Sequence, residues 1–160
     1  MHEKITPKLF IETTVFNFCF DGKQGKKQQA AIALFDKIKA YEYEAYSSEA
    51  VLEELMCTSG KKLDKMLELW QSMKDVFLVD ASSVMLADRY VGQGIIPLKY
   101  ANDARHIATA TVRGMNFVVS YNFGHIIKLK TLIGTAFCNL RAGYAPIGLT
   151  TPMEVIEYDR

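Results

Sequence analysis

Apolar residues in this chain alternate between short continuous runs and stretches spaced three or four apart, the patterns of buried strands and of amphipathic helices. Lys8-Leu9-Phe10-Ile11, after Pro7 and ending at Glu12-Thr13-Thr14, predicts a first strand that delivers a carboxylate at its end. A polar loop over 22–27 precedes Ala31, Leu34, Phe35 and Ile38, one face of a helix. Tyr43–Tyr46 predicts a second strand, after which Ser47 and Ser48 are good helix caps ahead of Glu53, Glu54, Leu55 and Met56. Leu63, Met66, Leu67 and Trp70 repeat the helical spacing, and Val76–Val79 forms a third strand ending at Asp80.

The same alternation continues to the end. A helix is expected over about 83–91, closed by Gly92 and Gly94 before Pro97, and a second opens at Asn102-Asp103 with Ala104, Ile107, Ala108 and Thr111 on one face. Phe117-Val118-Val119 is a fourth strand leading to Ser120-Tyr121-Asn122. A helix around 126–133, a glycine-containing stretch with a strand at 146–149, and a short piece after Pro152 complete the reading. Strands alternating with helices at this spacing predict one α/β domain over residues 1–160, a mainly parallel sheet with helices on both faces.

Composition narrows the class without naming a function. With 160 residues, 49% hydrophobic and 23% charged, the chain has the make-up of a globular domain and not of a disordered or repetitive one. Lys plus Arg total 19 against 18 Asp plus Glu, so a polyanion would have to meet a local patch such as Lys23, Lys26 and Lys27 with Lys61, Lys62 and Lys65. No apolar run reaches a membrane-spanning length, and Met1-His2-Glu3-Lys4 lacks the pattern of a signal peptide. Cys19, Cys57 and Cys138 are isolated and odd in number, which favours a reducing, cytoplasmic setting.

Chemistry concentrates in four polar groups that follow strands or open helices: Glu12, Glu54, Asp103 and Asn122. In an open parallel sheet such positions gather at the carboxyl ends of the strands. Carboxylates brought together repel, and a hard dication offsets that repulsion, so Mg²⁺ or Mn²⁺ is the expected occupant. Each group also has a structural reading. Glu12 can form a surface ion pair, Asp103 can complement a helix dipole, Asn122 can cap the next helix, and Glu54 competes with Glu53. His106 and His125 lack metal-ligand spacing and are expected to be structural. Gly92-Gln93-Gly94 does not make a dinucleotide loop.

Leu9–Thr14, Ser48 through Glu54-Leu55, Asn102 through Ala110, and Val118–Phe123 with His125 together resemble the PIN-domain proteins, which include VapC-type toxins. The resemblance spans about residues 8–125, and the block around Asp103 is its most specific part. It implies a metal-dependent ribonuclease acting on RNA, the toxin of a pair with an antitoxin protein, often a homodimer, with no membrane association. Glu12, Glu54 and Asp103 match the family's three acids and Asn122 its auxiliary fourth position. Two positions depart from the common pattern: Glu12 stands where Asp is usual, and Asn122 is neutral. A PIN-fold module that binds RNA or protein without catalysis is the alternative reading.

Overall fold

The computed structural model describes Glu3 and residues 5–158. Met1, His2 and Lys4, part of the amino-terminal reading, lie outside the described residues. Five strands, β1 (Lys8–Ile11), β2 (Glu44–Ser48), β3 (Asp75–Phe77), β4 (Phe117–Val119) and β5 (Gly148–Thr150), form one sheet in the order β3-β2-β1-β4-β5. Every pairing is parallel. The helices are α1 (Thr13–Phe18), α2 (Lys26–Lys39), α3 (Glu49–Leu55), α4 (Gly60–Trp70), α5 (Ala81–Gly92), α6 (Ala101–Val112), α7 (Leu129–Ala142) and α8 (Pro152–Tyr158), with a short 3-10 turn at Leu98–Tyr100.

Right-handed crossovers sort these helices. From β1 through β2 to β3 the chain steps one way across the sheet, then returns past β1 to β4 and continues to β5. The helices of the two legs therefore cover opposite faces, in keeping with α1 and α8 packing on α2 and with α6 and α7 packing on α5. Strand order reverses between β1 and β4, whose register sets Ile11 beside Val119. The core is continuous through the central strands: Leu9, Phe10, Ile11, Val118 and Val119 are all fully buried.

Local chemistry explains where the observed elements differ from the predicted ones. Helix α1 has no counterpart in the sequence reading because Thr13-Thr14-Val15-Phe16 is rich in β-branched and aromatic residues, which favour strands. It forms because the Glu12 side chain caps it, accepting from the Thr14 backbone N–H at 3.3 Å. β2 runs two residues past the predicted end, where the Ser47 hydroxyl donates to the Ile11 carbonyl at 2.8 Å. Ser48 caps α3 as expected, accepting from Val51 N–H. β3 stops at Phe77, and Asp80 instead caps α5, accepting from Ser83 N–H at 2.9 Å. β5 lies two residues later than predicted.

The largest shift is α7, which starts at Leu129 and continues to Ala142. Gly134 reads as a breaker in sequence but sits inside this helix, where a Cβ would overlap the side chain of Ile95. The true stop is Gly143, in the left-handed conformation at φ 84°. Gly134→Ala is therefore expected to lower stability by about 1–3 kcal/mol, since Ile95 has to move. Gly22→Ala, where the added methyl meets nothing within 4 Å, serves as the neutral control. Urea midpoints measure both, and equal midpoints would contradict the close approach.

Candidate metal centre

The reversal of strand order between β1 and β4 opens a crevice at their carboxyl ends, and Glu12 is the first residue beyond β1. Parallel register brings Ser48, at the end of β2, and Ser120, just after β4, to the same level. The Glu12 backbone N–H donates to the Val119 carbonyl at 3.1 Å, which holds the residue against β4. Its carboxylate accepts from the Ser120 hydroxyl at 2.5 Å and from the Thr14 hydroxyl at 2.6 Å. Ser120 and Thr14 are fixed in turn as acceptors, from Asn122 N–H at 2.9 Å and Tyr121 N–H at 2.8 Å. Only 2% of Glu12 is exposed, so it is not the surface ion pair of the simpler reading.

Glu54 arrives from the last turn of α3, and of the adjacent acids it is the one turned inward, half-buried while Glu53 is exposed. Its carboxylate pairs with Nε2 of His106, a fully buried residue of α6. Ligand atoms of Glu12, Glu54 and His106 all lie within 4.8 Å of one another. Asp103 lies one helical turn before His106, so the two share a face of α6. It is outside that tight group, yet its carboxylate feels the charges of His106, Glu54 and His125. The Asn122 Oδ1 accepts from His125 N–H at 3.0 Å, and the Asn122 side chain opposes the effect of burial on the Asp103 carboxyl. Asn122 thus caps a turn and not the following helix, which begins only at Leu129.

Charge balance in this pocket is dominated by burial. Burial pushes the Glu12 carboxyl above its ordinary range, and His106, Ser120 and Thr14 only partly oppose it. Asp103 is raised for the same reason, with His106 and Asn122 opposing. Glu54 is also penalised by burial, but its hydrogen bond to His106 and the charge of His106 together hold it below the ordinary range. Burial works against a charged His106, and its bond to Glu54 with the charges of Glu54, Glu12 and Asp103 outweighs this and raises it.

Of the four residues that the sequence points to, Glu12 and Glu54 lie in one tight group with His106, Asp103 stands one turn before His106 on α6, and Asn122 is tied to Glu12 through Ser120. His106 was expected to be purely structural, whereas it stands among the acids. The signal available was its i, i+3 relation to Asp103 on a helix with an inward face. Ser120 and Thr14 carry no motif signal, because a hydroxyl beside a strand end is commonplace. The donor set, carboxylate oxygens with one imidazole nitrogen, suits a dication of the Mg²⁺ or Mn²⁺ class, and the raised Glu12 and Asp103 show acids whose charged forms lack full compensation.

The signs of these shifts set a pH dependence. A raised His106 contributes stability that is fully present below its unfolded value and lost as pH rises through its folded one. Raised Glu12 and Asp103 keep protons in the folded state that the unfolded chain has released, so stability falls again as pH climbs from the ordinary carboxylate range through their folded values. Glu54 acts oppositely, and its contribution is lost only as pH falls through its lowered value. Metal-free protein is therefore expected to melt lower at about pH 8 than at about pH 6, with Mn²⁺ raising Tm more at the higher pH. Scanning calorimetry checks both, and a larger Mn²⁺ gain at the lower pH contradicts the charge balance described.

No family model matches the chain, and no curated protein sequence matches it. Among solved structures, the fold is similar to that in the crystal structure of VapBC2 from Rickettsia felis bound to a DNA fragment from their promoter. The TM-score is 0.54 at 16% identity, over 90% of this chain and 98% of that one. The likeness spans nearly the whole domain, and at this identity it is a likeness of fold.

Proposed function

We propose that this chain is a metal-dependent ribonuclease of the PIN-domain, VapC type, the toxin of a toxin–antitoxin pair, cutting RNA phosphodiester bonds. The observation that carries the reading is the grouping of Glu12 and Glu54 with His106, one helical turn from Asp103, where strand order reverses, in a fold similar to that of a VapBC complex. Glu12, Glu54 and Asp103 would hold Mg²⁺ or Mn²⁺, with His106 as a neighbouring nitrogen donor. When bound, such an ion supplies Lewis acidity and positive charge for attack of water on a phosphodiester.

The remaining residues orient and bind. Ser120 and Thr14 fix the Glu12 carboxylate, which its added methylene relative to Asp would otherwise leave freer. Asn122 steadies Asp103 without adding negative charge. Around the pocket, Phe123 is 47% exposed with Lys27 Nζ 4.8 Å from its ring centroid, and Tyr100 stacks on His125. Exposed aromatic faces beside lysines suit unpaired bases and a phosphate backbone, which favours single-stranded RNA as substrate. The antitoxin partner rests on the resemblance and on the similar complex.

One observation favours a second reading, a PIN-fold module without catalysis. His106 lies against Glu54, and the acids around it favour its positively charged form, so part of the work of a dication is open to this side chain. A single assay separates the two. Purified protein incubated with mixed structured and unstructured RNA is expected to cleave it with Mn²⁺ and not with chelator, and Asp103→Asn is expected to lower the rate by about 10- to 100-fold. Cleavage that survives chelation, or a variant as fast as wild type, contradicts the nuclease reading.

A further inference from the structure

Helix α7 is built inside out. Its buried residues are Thr131, Thr135, Cys138 and Asn139, whereas Leu129, Leu132, Ile133, Phe137 and Leu140 face solvent with 40% to 78% of each exposed. The inward polar groups are occupied, which fixes the rotation of the helix. The Tyr90 hydroxyl donates to Asn139 Oδ1, Thr131 donates to the His125 carbonyl at 2.7 Å, and Thr135 donates to the Thr131 carbonyl at 2.7 Å. Close packing of Ile95 at Gly134 locks it further. The five outward residues lie at i, i+3, i+4, i+8 and i+11, a continuous stripe about 16 Å long at the rise of an α-helix.

Charge around the stripe selects what covers it. Helices α5 and α7 together hold one acid, Asp88, against Arg89, Lys130 and Arg141; Asp80 immediately precedes α5 and is paired with Arg113, and Lys128 immediately precedes α7. From Asp103 to Glu154 the chain contains no other Asp or Glu. Arg141 lies over the Phe137 ring at 5.4 Å. Two copies packed antiparallel through α7 would set Lys128 and Lys130 of one against Arg141 of the other with no acid on either helix, which disfavours a second copy.

We infer that the outer face of α7 is a docking surface for an amphipathic helix of a partner protein, one with an apolar stripe bordered by Asp and Glu. The apolar stripe supplies the buried area and the basic border sets polarity and excludes basic partners. This surface stands on its own observations and not on the nuclease reading, and substitutions there leave the metal centre untouched.

The test uses two synthetic helices of about twenty residues with the same leucine stripe, one flanked by Glu and the other by Lys. Fluorescence anisotropy with the full chain is expected to show the Glu-flanked helix binding at least about tenfold more tightly at low salt, with the difference shrinking as salt rises. Phe137→Asp and, separately, Leu140→Asp are expected to weaken it at least about tenfold while circular dichroism and metal-dependent RNA cleavage stay unchanged. Equal binding of the two helices, or full binding by both variants, overturns the inference. So does sedimentation showing a dimer that Phe137→Asp dissociates, which makes the face a self-interface. Binding to vesicles of phosphatidylserine and phosphatidylcholine lost in the same variants, without peptide binding, overturns it in favour of a lipid surface.

Discussion

Three carboxylates held near one another at the sheet edge, one of them, Glu12, almost wholly removed from water, are the constraint that organises this structure. Like charges in a poorly solvated place repel and lack hydration, and each must find a donor or a counter-charge. The residues around them answer that demand one by one: Ser120 and Thr14 for Glu12, His106 for Glu54, Asn122 for Asp103. His106 is the pivot because all three acids act on its buried ring and favour its charged form. What it offsets is incomplete, since burial still raises Glu12 and Asp103 above their ordinary values. A dication at this place would complete the balance.

The fold makes this arrangement accessible by its topology. A parallel sheet that steps one way from β1 and the other way from β4 leaves a crevice between those strands, and the chain exits both into it. The two exits differ. β1 passes through Glu12 directly into α1, so that one side chain serves both as cap and as candidate site residue. β4 passes into a turn fastened by Asn122, which postpones the next helix and leaves Phe123 and His125 at the rim. Away from this edge, α7 presents apolar residues outward and polar ones inward, the reverse of what a helix needs when its only neighbour is its own core.

Much of this was legible in the sequence, for reasons that differ by residue. The central strands announce themselves because a strand buried on both faces must be continuously apolar, as Leu9–Ile11 and Phe117–Val119 are. Glu12, Glu54 and Asp103 were legible by type and by their places after strands or at helix starts, and Glu54 was separable from Glu53 through the Ser48 cap. Helix α1 was hidden because its β-branched composition argues for a strand, and only the tertiary setting of Glu12 decides otherwise. His106 was discounted because metal-ligand spacing in sequence describes ligands on one element, whereas its neighbours Glu12 and Glu54 come from the junction of β1 with α1 and from α3. The length of α7 was masked by Gly134, whose role is contact with Ile95, a residue 39 positions earlier that local periodicity does not reveal.

The central claim is that these acids form one dication site. Anomalous diffraction from crystals soaked in Mn²⁺ tests it most directly, because it locates the ion without relying on activity. The account predicts a single strong peak among the carboxylates of Glu12, Glu54 and Asp103, absent in Asp103→Asn crystals soaked alike. Density with no peak there, and with the His106 to Glu54 pair intact, would show that the imidazole alone balances the pocket and would contradict the claim.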